Sequence, residues 1–284
     1  MRRRLDFSKM HGAGNDFVVL DGLREALPSE LAALARRLAD RHFGVGADQV
    51  LVLRPSSTAH VRLEIYDADG SQVEMCGNGI RAVFKYLRER GLASQDEITV
   101  ETLGGIVRPR WAGPDRVRVD MGRPVLAPEK IPTRLGSGGE GPVLDAPLEV
   151  GGATWRVTPI SMGNPHAVLY VEDVDAVPVG ELGPRIEHHP AFPNRVNVEF
   201  VQILTRDRVR QRTWERGTGE TLACGSGACA AVVASVLRGA TRREVTVELR
   251  GGELDIAWPD DAASVFMTGP AAEVFHGRIA LEGD

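Results

Sequence analysis

One six-residue turn occurs twice in this chain, and that repeat limits the possible folds more than any other feature. Cys76-Gly77-Asn78-Gly79-Ile80-Arg81 is matched by Cys224-Gly225-Ser226-Gly227-Ala228-Cys229, 148 positions later. Tyr66-Asp67 and Trp214-Glu215 keep the same spacing, as do Gln49 and Asn197, and Gly91 and Gly239. Gly104-Gly105 and Gly251-Gly252 are 147 apart, and Gly14-Asn15 and Gly163-Asn164 are 149 apart. A period of that length is far beyond a solenoid unit, so the pattern implies two copies of one domain.

Composition agrees with this. The 284 residues, 43% of them apolar, can build two buried cores of ordinary size. With 34 basic and 39 acidic residues interspersed, the net charge of −5 argues against a nucleic-acid or anionic-membrane surface and favours a small-molecule partner. No apolar run reaches about 18 residues. The basic start Met1-Arg2-Arg3-Arg4 leads into Asp6, Lys9 and Asp16, so neither an anchor nor a signal peptide is expected and the cytosol is the expected compartment. Cys76, Cys224 and Cys229 are too few for a disulfide framework.

Periodicity places the elements. Gly12-Ala13-Gly14-Asn15-Asp16 reads as a loop entering the strand Phe17 to Leu20. Leu31, Leu34, Ala35 and Leu38 have helical spacing after Pro28 and a capping Ser29. Strands are expected at 49–53, 60–66, 97–102, 106–111 and 116–120, and a helix at about 78–90, closed by Gly91 in the left-handed C-cap position. The Pro/Gly-rich stretch 122–152 reads as the interdomain connection with a surface excursion. The second copy has strands at 155–157, 167–171, 196–202, 208–214, 244–249, 254–258 and 265–268, and a helix at 226–238 that is apolar nearly all round and so belongs inside. Each copy thus reads as short strands around one central helix, with a second helix outside. Residues 273–281 have no counterpart in the first copy and are expected to return to its sheet. The boundaries are 1–122, with a return near 271–284, and 123–270.

Cys76 and Cys224 each stand between a strand and a helix in a glycine-rich turn. The first amides of a helix lack internal partners and its dipole favours anions, so this position suits a carboxylate or the cysteine's own thiolate and is expected to acidify the thiol. Gly77 and Gly225 let a ligand approach those amides. Domains related by a pseudo-twofold axis would bring the two cysteines face to face across a cleft. One thiolate would remove an α-proton and the opposite thiol would return one, while the amides of Gly77, Asn78, Gly225 and Ser226 hold the carboxylate. Such chemistry calls for no cofactor and no metal. Cys229, inside the apolar helix, reads as a small hydrophobe. No second Cys or His pair has zinc-site spacing, and Gly12-Ala13-Gly14 matches no nucleotide-binding fingerprint.

Taken together, Gly14-Asn15-Asp16-Phe17, Asp69-Gly70-Ser71, Met75-Cys76-Gly77-Asn78-Gly79, Gly163-Asn164-Pro165-His166 and the run from Glu215-Arg216-Gly217 to Cys224-Gly225 resemble the diaminopimelate epimerase family over essentially the whole chain. The resemblance implies an α/β (α+β) fold of two pseudo-symmetric barrel-like domains with mixed, mainly antiparallel strands, each around a central helix. It also implies a cofactor-independent, cytoplasmic isomerase, usually a homodimer. That enzyme interconverts LL- and meso-2,6-diaminopimelate for lysine and peptidoglycan-precursor synthesis. By the same resemblance Cys76 and Cys224 are the paired acid and base, with His166 and Glu215 assisting thiol deprotonation. Asn15, Gln49 and Glu215 hold the reacting amino group, and Asn164, Asn197 and Arg216 the distal amino acid end.

One position departs from the family. Asp67 stands where the family usually has Asn, and an ionised Asp accepts hydrogen bonds but donates none. Either Asp67 faces an amine or Arg216, or the chain acts on another amino acid. The rival readings are a two-thiol racemase of proline, hydroxyproline or histidine, a two-lobed amino acid binding protein without chemistry, and a thiol redox protein cycling through a Cys76–Cys224 disulfide.

Overall fold

A computed structural model describes residues 4–136 and 141–281 of the chain. Met1, Arg2 and Arg3 of the basic start, and Gly138 and Gly139 of the Pro/Gly-rich stretch, lie outside the described residues. The chain divides into two compact units, one formed by Met1–Val119 with Thr268–Asp284 and the other by Asp120–Met267.

The first unit contains β1 (Arg4–Gly12), β2 (Asn15–Asp21), α1 (Leu31–Ala39), β3 (Gln49–Arg54), β4 (Val61–Asp67), β5 (Gln72–Val73), α2 (Gly77–Glu89), β6 (Val100–Thr102), β7 (Gly105–Val107), β8 (Arg110–Trp111) and β9 (Arg116–Asp120), the last running just past the division. The second contains β10 (Ala146–Val150), β11 (Ala153–Ser161), β12 (Pro165–Tyr170), α3 (Val179–Glu187), β13 (Asn197–Thr205), β14 (Arg208–Glu215), β15 (Gly219–Thr221), α4 (Gly225–Leu237), β16 (Glu244–Leu249), β17 (Gly252–Ala257) and β18 (Phe266–Pro270). Finally, β19 (Ala272–Ala280) pairs antiparallel with β1, so the C-terminal return does complete the first unit's sheet.

Strand order in the first unit is β19-β1-β2-β3-β4-β6-β7, with β5 on β4. In the second it is β10-β11-β12-β13-β14-β16-β17-β18, with β15 on β14. The duplication survives in the registers. β2 and β3 are parallel with Phe17 opposite Gln49, and β12 and β13 are parallel with His166 opposite Asn197. Antiparallel pairs dominate the remainder of both sheets, as in β3 with β4 and β13 with β14.

The central helices differ in composition but share a place. Beyond its first turn α4 is apolar on every side and lies against β11, β12, β13, β16 and β17, with the buried Ser235 hydroxyl bonded to the Ala231 carbonyl at 2.7 Å. α2 lies against β1, β2 and β19 and is buried through Leu87, polar side chains included: Arg81 donates from Nε to the Pro270 carbonyl at 3.2 Å, and Lys85 pairs with Glu89 at 2.8 Å and with Asp115. Such pairing is what allows charged groups to stay inside, since an unpaired buried charge is costly. α1 covers β3 and β4 from outside, its Leu31, Leu34, Ala35 and Leu38 packing with Val18, Leu20, Val50 and Val52. α3 does the same for the second unit, placing Leu182 and Ile186 among Phe192, Val198 and Phe200.

Four local expectations need correction. α1 begins at Leu31, so its N-cap position falls on Glu30, and no side chain caps it. Ser29 is one residue too early to serve. The strand expected at 106–111 is broken into β7 and β8, because Pro109 has no amide to donate to a ladder. Of 97–102 only Val100–Thr102 is strand, with Glu97 making a single bridge to Arg110. The end of the expected connector, Ala146–Val150, is strand β10, paired to β11 in spite of Pro147.

Candidate active site

Each unit presents a cysteine as the N-cap residue of its central helix. Cys76 (φ −139°, ψ 111°) and Cys224 (φ −115°, ψ 111°) have extended backbones, and each sulfur accepts the amide of the residue three further on, Gly79 and Gly227, at 3.4 Å. This is the role a serine or aspartate oxygen usually fills. The next amides, of Ile80 and Ala228, go to the Cys76 and Cys224 carbonyls. The amides of Gly77, Asn78, Gly225 and Ser226 therefore stand at the positive end of a helix, directed at whatever acceptor arrives.

In the first unit, a left-handed Gly14 (φ 86°) turns the chain so that Asn15 opens β2. Asn15 donates from Nδ2 to Asp48 at 2.8 Å, and its Oδ1 accepts from Asn78 Nδ2 at 3.1 Å and from the Cys76 thiol at 3.8 Å. Gln49, at the start of β3, donates from Nε2 to Asp67 Oδ1 at 2.7 Å. Gln49 Oε1 and Asn78 Oδ1 are buried without a partner. Asp67 thus faces the Gln49 amide. Burial raises its carboxyl above the usual range, and nearby Asp69 and Asp48 push the same way against the Gln49 hydrogen bond.

The second unit repeats the plan with more ionisable groups. Left-handed Gly163 (φ 95°) sets Asn164 ahead of β12; Asn164 donates from Nδ2 to the Ser226 hydroxyl at 3.3 Å, and its Oδ1 lies 3.0 Å from His166 Nε2. His166 is fully buried, with Nδ1 2.8 Å from Glu199 Oε1. Glu215 accepts the Thr221 hydroxyl at 2.5 Å, and its carboxyl is near enough to Cys224 for its charge to raise the thiol. Ser226 Oγ is 3.6 Å from the Cys224 sulfur. Asn197 is engaged at both ends of its amide within the protein, donating to the Pro165 carbonyl and accepting the Arg216 amide, both at 2.9 Å. The Arg216 side chain is exposed, with Nη1 on the Asn194 carbonyl at 3.1 Å.

One sequence expectation changes here. Burial raises the Cys224 thiol well above its usual value, helped by the Glu215 and Glu199 carboxyls and opposed by the Ser226 and Gly227 hydrogen bonds. Acidification by the helix start is therefore outweighed by desolvation at this cysteine. His166 has both ring nitrogens engaged, by Glu199 and Asn164, and Asn164 in turn bonds Ser226, whose Oγ lies 3.6 Å from the Cys224 sulfur. The Glu215 carboxyl is itself raised, first by burial.

Sequence reasoning passed over Asp48, Glu199 and Thr221. Glu199 did leave a signal, as an acid within the otherwise apolar core run of β13. Asp48 left none, since its bond to Asn15 spans 33 positions, and Thr221 gains its role from the β14–β15 turn that folds it back onto Glu215.

The arrangement defines a class: a two-unit fold in which each central helix is capped by a cysteine whose neighbouring amides form an anion site. Known structures share the fold at low identity. They include a phenazine biosynthesis protein of the PhzF family from Bacillus anthracis (TM-score 0.73, 17% identical, covering 98% of this chain and 100% of that one) and a probable proline racemase from Agrobacterium radiobacter (TM-score 0.69, 19%, 98% and 93%). The family model for diaminopimelate epimerase matches residues 7–127 and 158–274. A diaminopimelate epimerase of Moorella thermoacetica is 52% identical, covering 98% of this chain and all of the relative, and one of Pelotomaculum thermopropionicum is 53% identical, covering 96% and 98%. The chain belongs to the diaminopimelate epimerase family.

Proposed function

We propose that this isomerase interconverts LL- and meso-2,6-diaminopimelate by proton transfer between two cysteines at one Cα. The observation that carries the reading is the doubled N-cap: two sulfurs, each at a helix start beside two unclaimed amides, in registers that repeat across the chain. One cysteine thiolate takes the α-proton, and the electron pair left on Cα delocalises into the carboxylate. The helix-start amides of Gly77, Asn78, Gly225 and Ser226 stabilise that charge where it develops. The opposite thiol then delivers a proton to the other face, and the configuration inverts.

In this reading Glu215 accepts the Cys224 proton, and Asn15 and Gln49 position the reacting amine. Asn164 and the Arg216 guanidinium hold the distal end, the latter as a charge-assisted fork on a carboxylate. Asn197 acts indirectly, by fixing the Pro165 and Arg216 backbone. Asp67, at the Asn position, accepts the Gln49 amide as an asparagine oxygen would, and burial raises its carboxyl. The protein is expected to work in the cytoplasm as a homodimer. The test is incubation of reduced protein with LL-diaminopimelate in D2O: deuterium entering Cα together with the meso isomer supports the reading, and release of unlabelled, unchanged substrate rejects it. Proline, hydroxyproline and histidine as parallel substrates decide the amino acid.

A further inference from the structure

The two half-sites are built on one plan, yet their asparagines face opposite ways. Asn15 gives its Nδ2 to Asp48, a carboxylate also held by Arg41, so its oxygen is left for Asn78 and the Cys76 thiol. Asn164 gives its Nδ2 to Ser226, and its oxygen points outward at His166 Nε2. Because an amide oxygen only accepts, Nε2 must carry a hydrogen. On a neutral ring Nδ1 is then an acceptor, and the group facing it, Glu199, must be the donor.

Equivalent positions in the first unit show that this pair is an addition to the scaffold. The β-ladders align His166 with Phe17 and Glu199 with Leu51. Local packing agrees: a Cβ on Gly79 would meet Leu51 Cδ2 at 3.2 Å, and one on Gly227 would meet Glu199 Oε1 at 2.7 Å. A leucine therefore lies beside Gly79 where a carboxyl group lies beside Gly227.

We propose that Glu199 carries a proton and acts as a positioning residue: it fixes His166 as the Nε2–H tautomer and so turns the Asn164 amide nitrogen toward Ser226 and Cys224. Once Ser226 Oγ has accepted from Asn164, its own hydrogen is directed at the Cys224 sulfur. The line of donors runs from Glu199 through His166, Asn164 and Ser226 to Cys224, whereas Asn15 offers Cys76 an acceptor. The two sulfurs thus meet different neighbours: Asn15 offers Cys76 an acceptor, and Ser226 offers Cys224 a donor that opposes the upward push of burial on its thiol. The inference rests on the reading that both cysteines react.

Burial supports it. Glu199 is fully buried and its Oε2 has no partner, so an ionised carboxylate would leave an uncompensated oxygen in a dry site. The titratable groups around it are His166 of β12, Glu215 of β14 and Cys224 at the start of α4; burial raises the Glu199 carboxyl, and His166 opposes this.

The test begins with the wild-type chain, reduced and labelled with 15N-histidine. NMR is expected to show His166 neutral at pH 7 with hydrogen on Nε2; an Nδ1–H tautomer or an imidazolium overturns the proposal. Glu199→Gln keeps a donor for Nδ1 and is expected to keep the tautomer and at least about a third of turnover. Glu199→Leu combined with His166→Phe copies the hydrocarbon pair of the first unit. It is expected to raise the pH midpoint of Cys224 alkylation by iodoacetamide, read by peptide mass, by about one unit, with Cys76 unmoved and kcat reduced more than KM. A Cys224 midpoint that falls means Glu199 was ionised, and one that stays means the line carries nothing; either overturns the proposal. If the double variant does not fold, the wild-type tautomer decides. Undiminished exchange in Cys224→Ser would remove the underlying two-cysteine reading without touching the NMR result, so the two failures are distinguishable.

Discussion

The sulfur of Cys224 and the amide of Gly227 are joined by a 3.4 Å hydrogen bond, and this contact requires residue 227 to lack a side chain. A Cβ there would lie 2.7 Å from Glu199 Oε1 and 3.2 Å from the Cys224 sulfur. The second glycine of the repeated turn is thus a matter of space at a helix start. Gly227→Ala is expected to cost roughly 1–3 kcal/mol of stability by overpacking, measured by urea unfolding, and to displace Cys224 enough to lower deuterium exchange more than tenfold. A variant with wild-type stability and exchange would show that the site has slack where the structure shows none.

Glu215 raises the Cys224 thiol by its negative charge, and in the proposed reaction it accepts the thiol hydrogen. Its carboxylate raises the thiol, so Glu215→Gln is expected to move the Cys224 alkylation midpoint to lower pH while turnover falls about a hundredfold for want of the acceptor. If midpoint and turnover both hold, Glu215 has no part in proton transfer.

Asp67 supplies a pH test. Its carboxyl is raised in the folded protein, so folding takes up protons there, and the associated stability is present below the ordinary Asp range and is lost as pH rises through the raised value. Asp67→Asn is expected to be more stable than wild type at pH 7 and indistinguishable from it at pH 3, by chemical denaturation at both pH values. Equal stability at both would mean that the Gln49 hydrogen bond fully offsets the burial of Asp67.

Much of this was legible beforehand, for identifiable reasons. The two central helices were legible because Ile80, Val83, Phe84 and Leu87 recur at helical spacing, and because glycine at 91 and 239 takes the left-handed conformation (φ 67° and 70°) that ends a helix. The duplication was legible because backbone-determined residues, glycines above all, hold their spacing. Short pieces such as β5, β15 and the break at Pro109 were lost because two or three residues have no period to read. The His166–Glu199 pair escaped because it joins two strands 33 positions apart, and a parallel register is a tertiary fact. The electrostatics of Cys224 were less legible: its helix-start position is written in the sequence, whereas its burial and the nearby Glu215 and Glu199 carboxyls are not.

The most direct measurement follows deuterium at the α-carbon of diaminopimelate with Cys76→Ser and Cys224→Ser, each beside the reduced wild type. Inversion is expected to fall by at least about a thousandfold in both variants while substrate binding persists, since a serine hydroxyl is far too weak a base at neutral pH to replace a thiolate. Wild-type inversion in either variant would contradict the account, because a reaction that runs with one sulfur has no need of the second.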